Sequence, residues 1–108
     1  MSKKKSANQT KKERFRQSKK WKDFRHFMHV LQHGIDPITK KKLYKMANLH
    51  HMNLDESHYD DISNPDNFVF CNSKTHDALH WAYNYYKDDP EFLERFKYYL
   101  DKMVELNA

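Results

Sequence analysis

The chain contains a single glycine, Gly34, among 108 residues, and this scarcity limits how its turns can be built. Glycine adopts positive φ more readily than other residues and is therefore common just after a helix. Four apolar residues at steps of three, four and three precede it and would share one helix face: Trp21, Phe24, Met28 and Leu31. The pattern predicts a helix that starts at Ser18 and ends at the glycine.

Strand and helix patterns follow the glycine in a definite order. Asp36 and Pro37 predict a turn. The next segments have the patterns of a strand, a loop, a strand and a helix: 43–50, 53–66, 68–70 and 75–87. Thr75 is the predicted N-cap of that helix. With seven Phe, seven Tyr and two Trp, the core is expected to be aromatic, in one small domain of the α+β class.

The C-terminal segment predicts a last helix over about 90–106, with Pro90 in its first turn. Its apolar residues step by four, three, four and three along one face: Phe92, Phe96, Tyr99, Met103 and Leu106. Amphipathic helices usually cover the core of their own domain. We therefore expect this face to be buried rather than to bind a cofactor or a partner.

Positive charge is concentrated at the N-terminus. Residues 1–22 carry ten Lys and Arg against one acidic residue, a net charge of +9, whereas residues 23–108 have a net charge of −4. Residues 1–17 are predicted to be a disordered basic arm ahead of a domain over 18–108. Such an arm favours nucleic-acid contact, because neutralising phosphates releases counterions; a solubilising tail is the alternative. The residues predicted to contact nucleic acid are Lys3, Lys4, Lys5, Lys11, Lys12, Arg14, Arg16, Lys19, Lys20 and Lys74.

The cysteine content and the hydropathy of the sequence indicate in which cellular compartment the protein acts. Cys71 is the only cysteine, so an intramolecular disulfide is excluded, which suits a reducing compartment. No apolar run approaches the roughly 20 residues of a membrane span, and the first residues lack the apolar stretch of a secretory signal. The expectation is a cytoplasmic protein (host cytoplasm, if the chain is viral) that does not act on membranes and is a monomer or a weak dimer.

Four histidines have the spacing of a metal site. His76 and His80 are four residues apart on the predicted helix, so both imidazoles can reach one ion. His50 and His51 are adjacent at the end of the predicted strand, where neighbouring side chains point to opposite faces. One of that pair can therefore supply a further ligand to the helical pair, while the other faces away.

These residues resemble a known motif. The stretch LHHMNLDESHYDDISNPDNFVFCNSKTHDALHW, from Leu49 to Trp81, is similar to the HNH endonuclease motif, whose fold is the ββα-metal (His-Me) finger. The family runs a histidine pair, a loop, an asparagine at the second strand, a helical histidine nine residues later and another four after that. His50-His51, Asn67, His76 and His80 match this spacing. The resemblance implies a ββα-metal core over about 43–87, flanked by the N-terminal and C-terminal helices, as in small free-standing phage-encoded HNH nucleases.

The resemblance also implies a role for each matched residue. His50, His76 and His80 would hold one divalent metal ion (Zn, Ni, Mn or Mg), and imidazole ligands favour a transition metal. His51 would be the general base that takes a proton from the attacking water. Asn67 would orient the base through its side-chain amide. The implied activity is hydrolysis of DNA phosphodiester bonds by nicking, with DNA as partner and other phage or host proteins as further partners.

Other readings of these residues remain open. A non-catalytic metal finger that binds DNA or a protein partner, for example as a phage counter-defence factor, would keep the same ligands. His26, His29 and His33 share a helix face, which predicts either a second metal site or, as we favour, an ordinary polar face. Many family members carry CxxC pairs that bind a structural zinc, whereas here residues 36–39 read Asp-Pro-Ile-Thr. We expect Cys71 to be a buried apolar residue rather than a ligand.

Overall fold

The computed structural model describes residues 10–108, so Lys3, Lys4 and Lys5 lie outside the described residues. The described part contains four α-helices and one two-stranded antiparallel sheet, which confirms the α+β class. The elements are α1 (Lys11–Arg16), α2 (Lys19–Leu31), β1 (Asn48–His51), β2 (Phe68–Cys71), α3 (Ser73–Tyr86) and α4 (Phe92–Leu106). Two 3₁₀ turns, Glu56–His58 and Pro65–Asn67, lie in the loop between the strands. The chain divides into two compact units, one up to Ser73 and the other Lys74–Ala108.

Helix α1 lies inside the segment predicted to be disordered. Thr10 and Glu13 form a reciprocal capping box at its start, in which each side chain accepts a hydrogen bond from the other residue's backbone N–H. Phe15 packs against the core, with its ring centroid 5.7 Å from Trp21 and 5.8 Å from Tyr59. Part of the segment assigned to the disordered arm is therefore helical in this structure, and composition does not reveal that one of its apolar residues packs on the core.

Helix α2 starts where the sequence predicts. The Ser18 hydroxyl accepts the Trp21 N–H at 3.2 Å and so caps the helix. Three of the four predicted stripe residues are buried, but Leu31 is 52% exposed because the helix ends there. Gly34 has a φ of +68° as expected, and His33 before it also has positive φ, so the chain reverses over two residues.

One aromatic core fills the unit up to Ser73. The buried face of α2 packs on the sheet, and the Phe24 and Phe68 rings meet edge to face at 4.8 Å. The buried apolar residues are Trp21, Phe24, Met28, Leu43, Ala47, Leu49, Phe68 and Phe70. The prediction of an aromatic core is confirmed for this unit.

The first strand is shorter than predicted. Only Asn48–His51 pairs with β2, whereas residues 44–47 form a turn closed by the Ala47 N–H, which donates to the Tyr44 carbonyl at 3.0 Å. Leu43 and Ala47 are both buried, at the two ends of this turn. Their burial produced the strand-like alternation in the sequence, although the backbone between them bends.

Two buried polar side chains hold this part of the chain together. The Asp36 carboxylate, which is 0% exposed, accepts backbone N–H bonds from Ile38 and Thr39 and, at 3.0 Å, from Asn72. The Asn72 amide in turn accepts the Tyr44 N–H at 2.8 Å and donates to the Lys42 carbonyl at 3.0 Å. We call Asp36 and Asn72 the polar clamp. It joins the turn to the residue between β2 and α3.

Gln32, directly after α2, connects the helix to the sheet. Its side-chain carbonyl accepts the Phe70 N–H at 2.7 Å, and its amide donates to the Phe70 carbonyl at 2.9 Å. A single side chain thus satisfies both main-chain groups of a β2 residue, as a neighbouring strand would.

The unit Lys74–Ala108 consists of most of α3 and all of α4. The rings of Trp81, Tyr85, Phe92 and Phe96 form a cluster with centroid distances of 5.1–5.6 Å. Helix α4 nevertheless has no buried residue, and Met103 and Leu106 are 60% and 73% exposed. The expectation that its apolar face is core is therefore wrong for the chain as described.

Two further details of this part differ from the predictions. Helix α3 begins at Ser73, two residues early, so Thr75 lies inside the helix as a buried residue and is not its cap. Across residues 10–108, no helix has the length and apolar character that crossing a membrane requires.

Candidate metal centre

The hairpin places the adjacent histidines on opposite faces. In the antiparallel register His50 lies opposite Val69 and His51 lies opposite Phe68. Because side chains alternate along a strand, His51 shares a face with the buried Leu49, while His50 points to the other side. The sequence prediction that the two imidazoles separate is confirmed.

The helical pair lies side by side. His76 and His80 have their Nε2 atoms 3.2 Å apart, and both side chains are half-buried. Two nitrogen ligands about 2.0–2.1 Å from one tetrahedral zinc lie about 3.3 Å apart. The spacing within α3 therefore already suits two ligands of one ion.

Three histidines come together as a group. One ring nitrogen each from His50, His76 and His80 lies within 4.8 Å of the others, and all three residues are half-buried. No other group of three or more potential metal-ligating His, Cys, Asp or Glu side chains occurs in the described residues. The group could hold a metal ion, and three imidazoles are the protein ligand set of some catalytic zinc sites. The helical histidines His26, His29 and His33 form no such group.

His51 has an unusual environment for a base. Its Nδ1 accepts the backbone N–H of Asn53 at 3.0 Å, and its ring lies 4.3 Å from the Phe68 ring. Its Nε2 is buried and has no hydrogen-bond partner among residues 10–108. Since Nδ1 accepts a hydrogen bond, a neutral imidazole here carries its proton on Nε2. The lone pair that a base would use is thus directed at the Asn53 amide.

Asn67 acts in this structure through its backbone. Its carbonyl accepts the Met52 N–H at 2.8 Å, and its own N–H donates to the Asn64 carbonyl at 3.1 Å. The first bond extends the pairing of the two strands by one step beyond His51, and the second closes the 3₁₀ turn that precedes β2. The side-chain role predicted for Asn67 is not among the hydrogen bonds of the described chain.

The predicted basic residues that the structure describes are mostly exposed. Lys74 is exposed in the first turn of α3. The Arg16 guanidinium lies 5.9 Å from the centre of the Trp21 ring. Burial and, second, the nearby positive charge of Arg16 lower the pKa of Arg25 below its ordinary value, so two cations lie close together here. Lys19 is paired with Asp23 at 2.7 Å, and this bond raises the pKa of the lysine.

Sequence reasoning missed two kinds of residue around the site. Asn53 was placed in a loop, and nothing in the sequence indicates that its backbone N–H would donate a hydrogen bond to His51. The partnership of Asp36 and Asn72 was also missed, because it joins residues 36 positions apart. The one available signal was Asp-Pro at the site of the expected turn, since Asp commonly caps a turn through its own carboxylate.

Cys71 is a buried free thiol, as predicted. Burial, followed by the nearby Asp36 carboxylate, raises the pKa of this thiol to about 11. A neutral thiol is a poor metal ligand and a poor nucleophile.

Comparison with known proteins adds no relative. The chain matches no protein-family model, no curated protein and no solved structure.

Proposed function

We propose that this chain is a metal-dependent HNH endonuclease that nicks DNA. The observation that carries the proposal is the group formed by His50, His76 and His80, whose ligand atoms lie within 4.8 Å of one another. Two paired strands followed by a helix supply these ligands, in the order and spacing that resemble the HNH motif. A chance pair of histidines on a helix would not bring a third from a strand.

The three imidazoles would hold one divalent ion. Imidazole nitrogen ligands favour Zn or Ni over Mg. When bound, the ion would stabilise charge on the leaving 3′ oxygen and on the phosphoryl oxygens. Helix α3 fixes the distance between the His76 and His80 nitrogens. The position of the His50 ring therefore decides whether all three nitrogens can bind one ion.

His51 is proposed as the general base on the other face of β1. A base needs an available lone pair, and the His51 Nδ1 lone pair is directed at the Asn53 N–H. Activation therefore requires that this amide move away when substrate binds. Met52, between the two residues, is held by the Asn67 carbonyl, so the hairpin end can stay closed while Asn53 moves.

The N-terminal segment is proposed to hold the phosphate backbone. Six of its predicted contact residues lie on α1 and the first turn of α2, and α1 is attached to the core through Phe15. Phosphate contacts from such residues are independent of sequence and depend steeply on salt. They would position DNA without specifying a cutting site.

The second candidate is a binding protein that keeps the metal finger but performs no chemistry. The hydrogen bond from the Asn53 N–H to His51 favours this candidate, because it occupies Nδ1, the atom that a general base would use. The two candidates differ in what His51 contributes.

Plasmid nicking by paired variants tests the proposal. The parent should convert supercoiled DNA to the relaxed form with Zn, Ni or Mn and stop when EDTA is added. His50→Ala should lose bound metal and activity together. His51→Ala should keep its metal and lose on the order of 10²–10⁴-fold in rate, as removal of a general base does.

His58→Ala is the matched control, since His58 is an exposed loop histidine 3.9 Å from Asp55 and outside the metal group. It should nick as the parent does. Equal nicking by His51→Ala and the parent would refute the base assignment. A parent that binds metal but cuts neither DNA nor RNA leaves the binding-protein candidate.

A further inference from the structure

The turn that leads into β1 has an unusual surface. Met46 is 81% exposed and Tyr44 is 69% exposed, although Leu43 and Ala47 on either side are buried. The turn enters β1 directly, and Met46 is four residues before His50. At about 3.3 Å per residue their Cα atoms are at most about 13 Å apart.

This surface is positively charged. Residues 37–54 contain four lysines and no acidic residue, and all four lysines are exposed: Lys40, Lys41, Lys42 and Lys45. The nearest acid before this stretch is Asp36, which is fully buried. Exposed Tyr44 and Met46 in a stretch rich in lysine suit a nucleic-acid duplex, whose backbone is anionic and whose base stack is apolar.

Hydrogen bonds from buried side chains hold the backbone of the turn. The polar clamp bonds the backbone on both sides of Leu43, through the Tyr44 N–H and the Lys42 carbonyl. Asp36 accepts two N–H groups of the preceding turn, in which Lys40 has positive φ. Buried polar residues are therefore used to fix a loop whose outward side chains are apolar or cationic. A loop fixed in this way would bind with little loss of conformational entropy.

We propose that Met46, supported by Tyr44, is a wedge that inserts between base pairs of duplex DNA and bends it, while the four lysines hold the flanking phosphates. Apolar side chains inserted at a base step unstack it and kink the duplex. The unbranched thioether side chain of methionine adapts readily to such a gap. The cost of kinking is lowest at flexible pyrimidine–purine steps, so the wedge would select such steps for cutting. This inference rests on the proposed DNA substrate and adds how the duplex is engaged.

Bending and unstacking can be measured apart from cleavage. The probe is a duplex of about 20 base pairs with a fluorophore at each end and 2-aminopurine at a central TA step. The full-length, metal-loaded parent should bring the ends closer and raise the 2-aminopurine signal, with strand integrity checked on a denaturing gel. Met46→Ala should abolish both signals and weaken binding by about tenfold, while Met46→Leu restores them.

Met103→Ala is the matched control, because Met103 is also an exposed methionine but lies on α4. It should bend DNA as the parent does. Changing Lys40, Lys41 and Lys42 to Gln should lower the salt slope of binding by about three, yet leave the bend at saturation intact. Melting curves of every variant identify any loss of fold.

The outcomes separate this inference from the nuclease proposal. A parent that does not bind the duplex, or binds it without bending, overturns the wedge, as does Met46→Ala with the parent's bend. Nicking by a parent that leaves the duplex straight overturns the wedge and retains the nuclease. Bending by a parent that never nicks retains the wedge and overturns the nuclease proposal.

Discussion

Helices α2 and α4 carry apolar stripes with similar spacing but differ in burial. In α2 the stripe residues Trp21, Phe24 and Met28 are buried against the sheet. In α4 no residue is buried, although its stripe is longer and contains two Phe. Spacing therefore determines that a helix forms and which side chains share a face. It does not determine what, if anything, lies against that face, because that depends on a second element elsewhere in the chain.

The largest expected difference is in the cost of removing an aromatic ring. Phe68→Ala removes a ring in contact with Trp21 and Phe24 and should lower the free energy of unfolding by about 3–5 kcal/mol. Phe96→Ala, in the cluster of the second unit, should cost about 1 kcal/mol because that side chain is part-exposed. Urea unfolding measures both, and equal costs would remove the contrast.

The polar clamp gives the next largest effect. Asp36→Ala leaves three backbone N–H groups without their acceptor and should cost on the order of 2–3 kcal/mol. Asp36→Asn keeps an acceptor oxygen and should cost less. Asp101→Ala removes only an exposed ion pair with Lys97 and should cost below about 0.5 kcal/mol. If Asp36→Ala has the same melting temperature as the parent, the polar clamp does not stabilise the turn.

Cys71 provides a pH test of the first unit alone. The folded thiol has its pKa raised to about 11, against an ordinary value of 9.0, so the unfolded state ionises first as the pH rises. The contribution of this thiol is fully present below pH 9 and is lost between pH 9 and about pH 11, by about 3 kcal/mol at most. The unfolding free energy of the parent minus that of Cys71→Ala should therefore decrease over that interval. A difference independent of pH contradicts the raised pKa.

The smallest effect is expected on α4. Val104→Lys and Met103→Gln replace exposed apolar groups and should change the unfolding free energy by less than about 0.5 kcal/mol. Sedimentation of the parent and both variants accompanies the measurement. A large loss of stability together with a fall in mass would mean that a second copy covers this face in solution.

Local patterns predicted much of the fold. The start of α2 near Ser18, the positive φ of Gly34, the second strand and the order strand, strand, helix all depend on residues within a few positions of one another. The three proposed metal ligands were also identifiable, because i and i+4 spacing fixes two of them on one helix face.

The failures involve contacts that are distant in sequence or decided by the backbone. Leu43 and Ala47 alternate as a strand would, yet the Asn72 amide holds the backbone between them in a turn. Thr75 has the chemistry of a cap, but the helix had already begun at Ser73. The assignment of His51 as the base stays a prediction, because it depends on the direction of the Asn53 backbone N–H, which no spacing rule gives.

The pairing of Gln32 with Phe70 has a consequence for association. A two-stranded sheet has open edges, and unpaired main-chain groups there can template another chain's strand. The Gln32 amide occupies both the N–H and the C=O of Phe70, in the middle of β2. A chain that lost this side chain would present a strand rich in Phe with two vacant hydrogen-bonding groups. We therefore expect replacement of Gln32 to increase aggregation of the protein before it changes any activity.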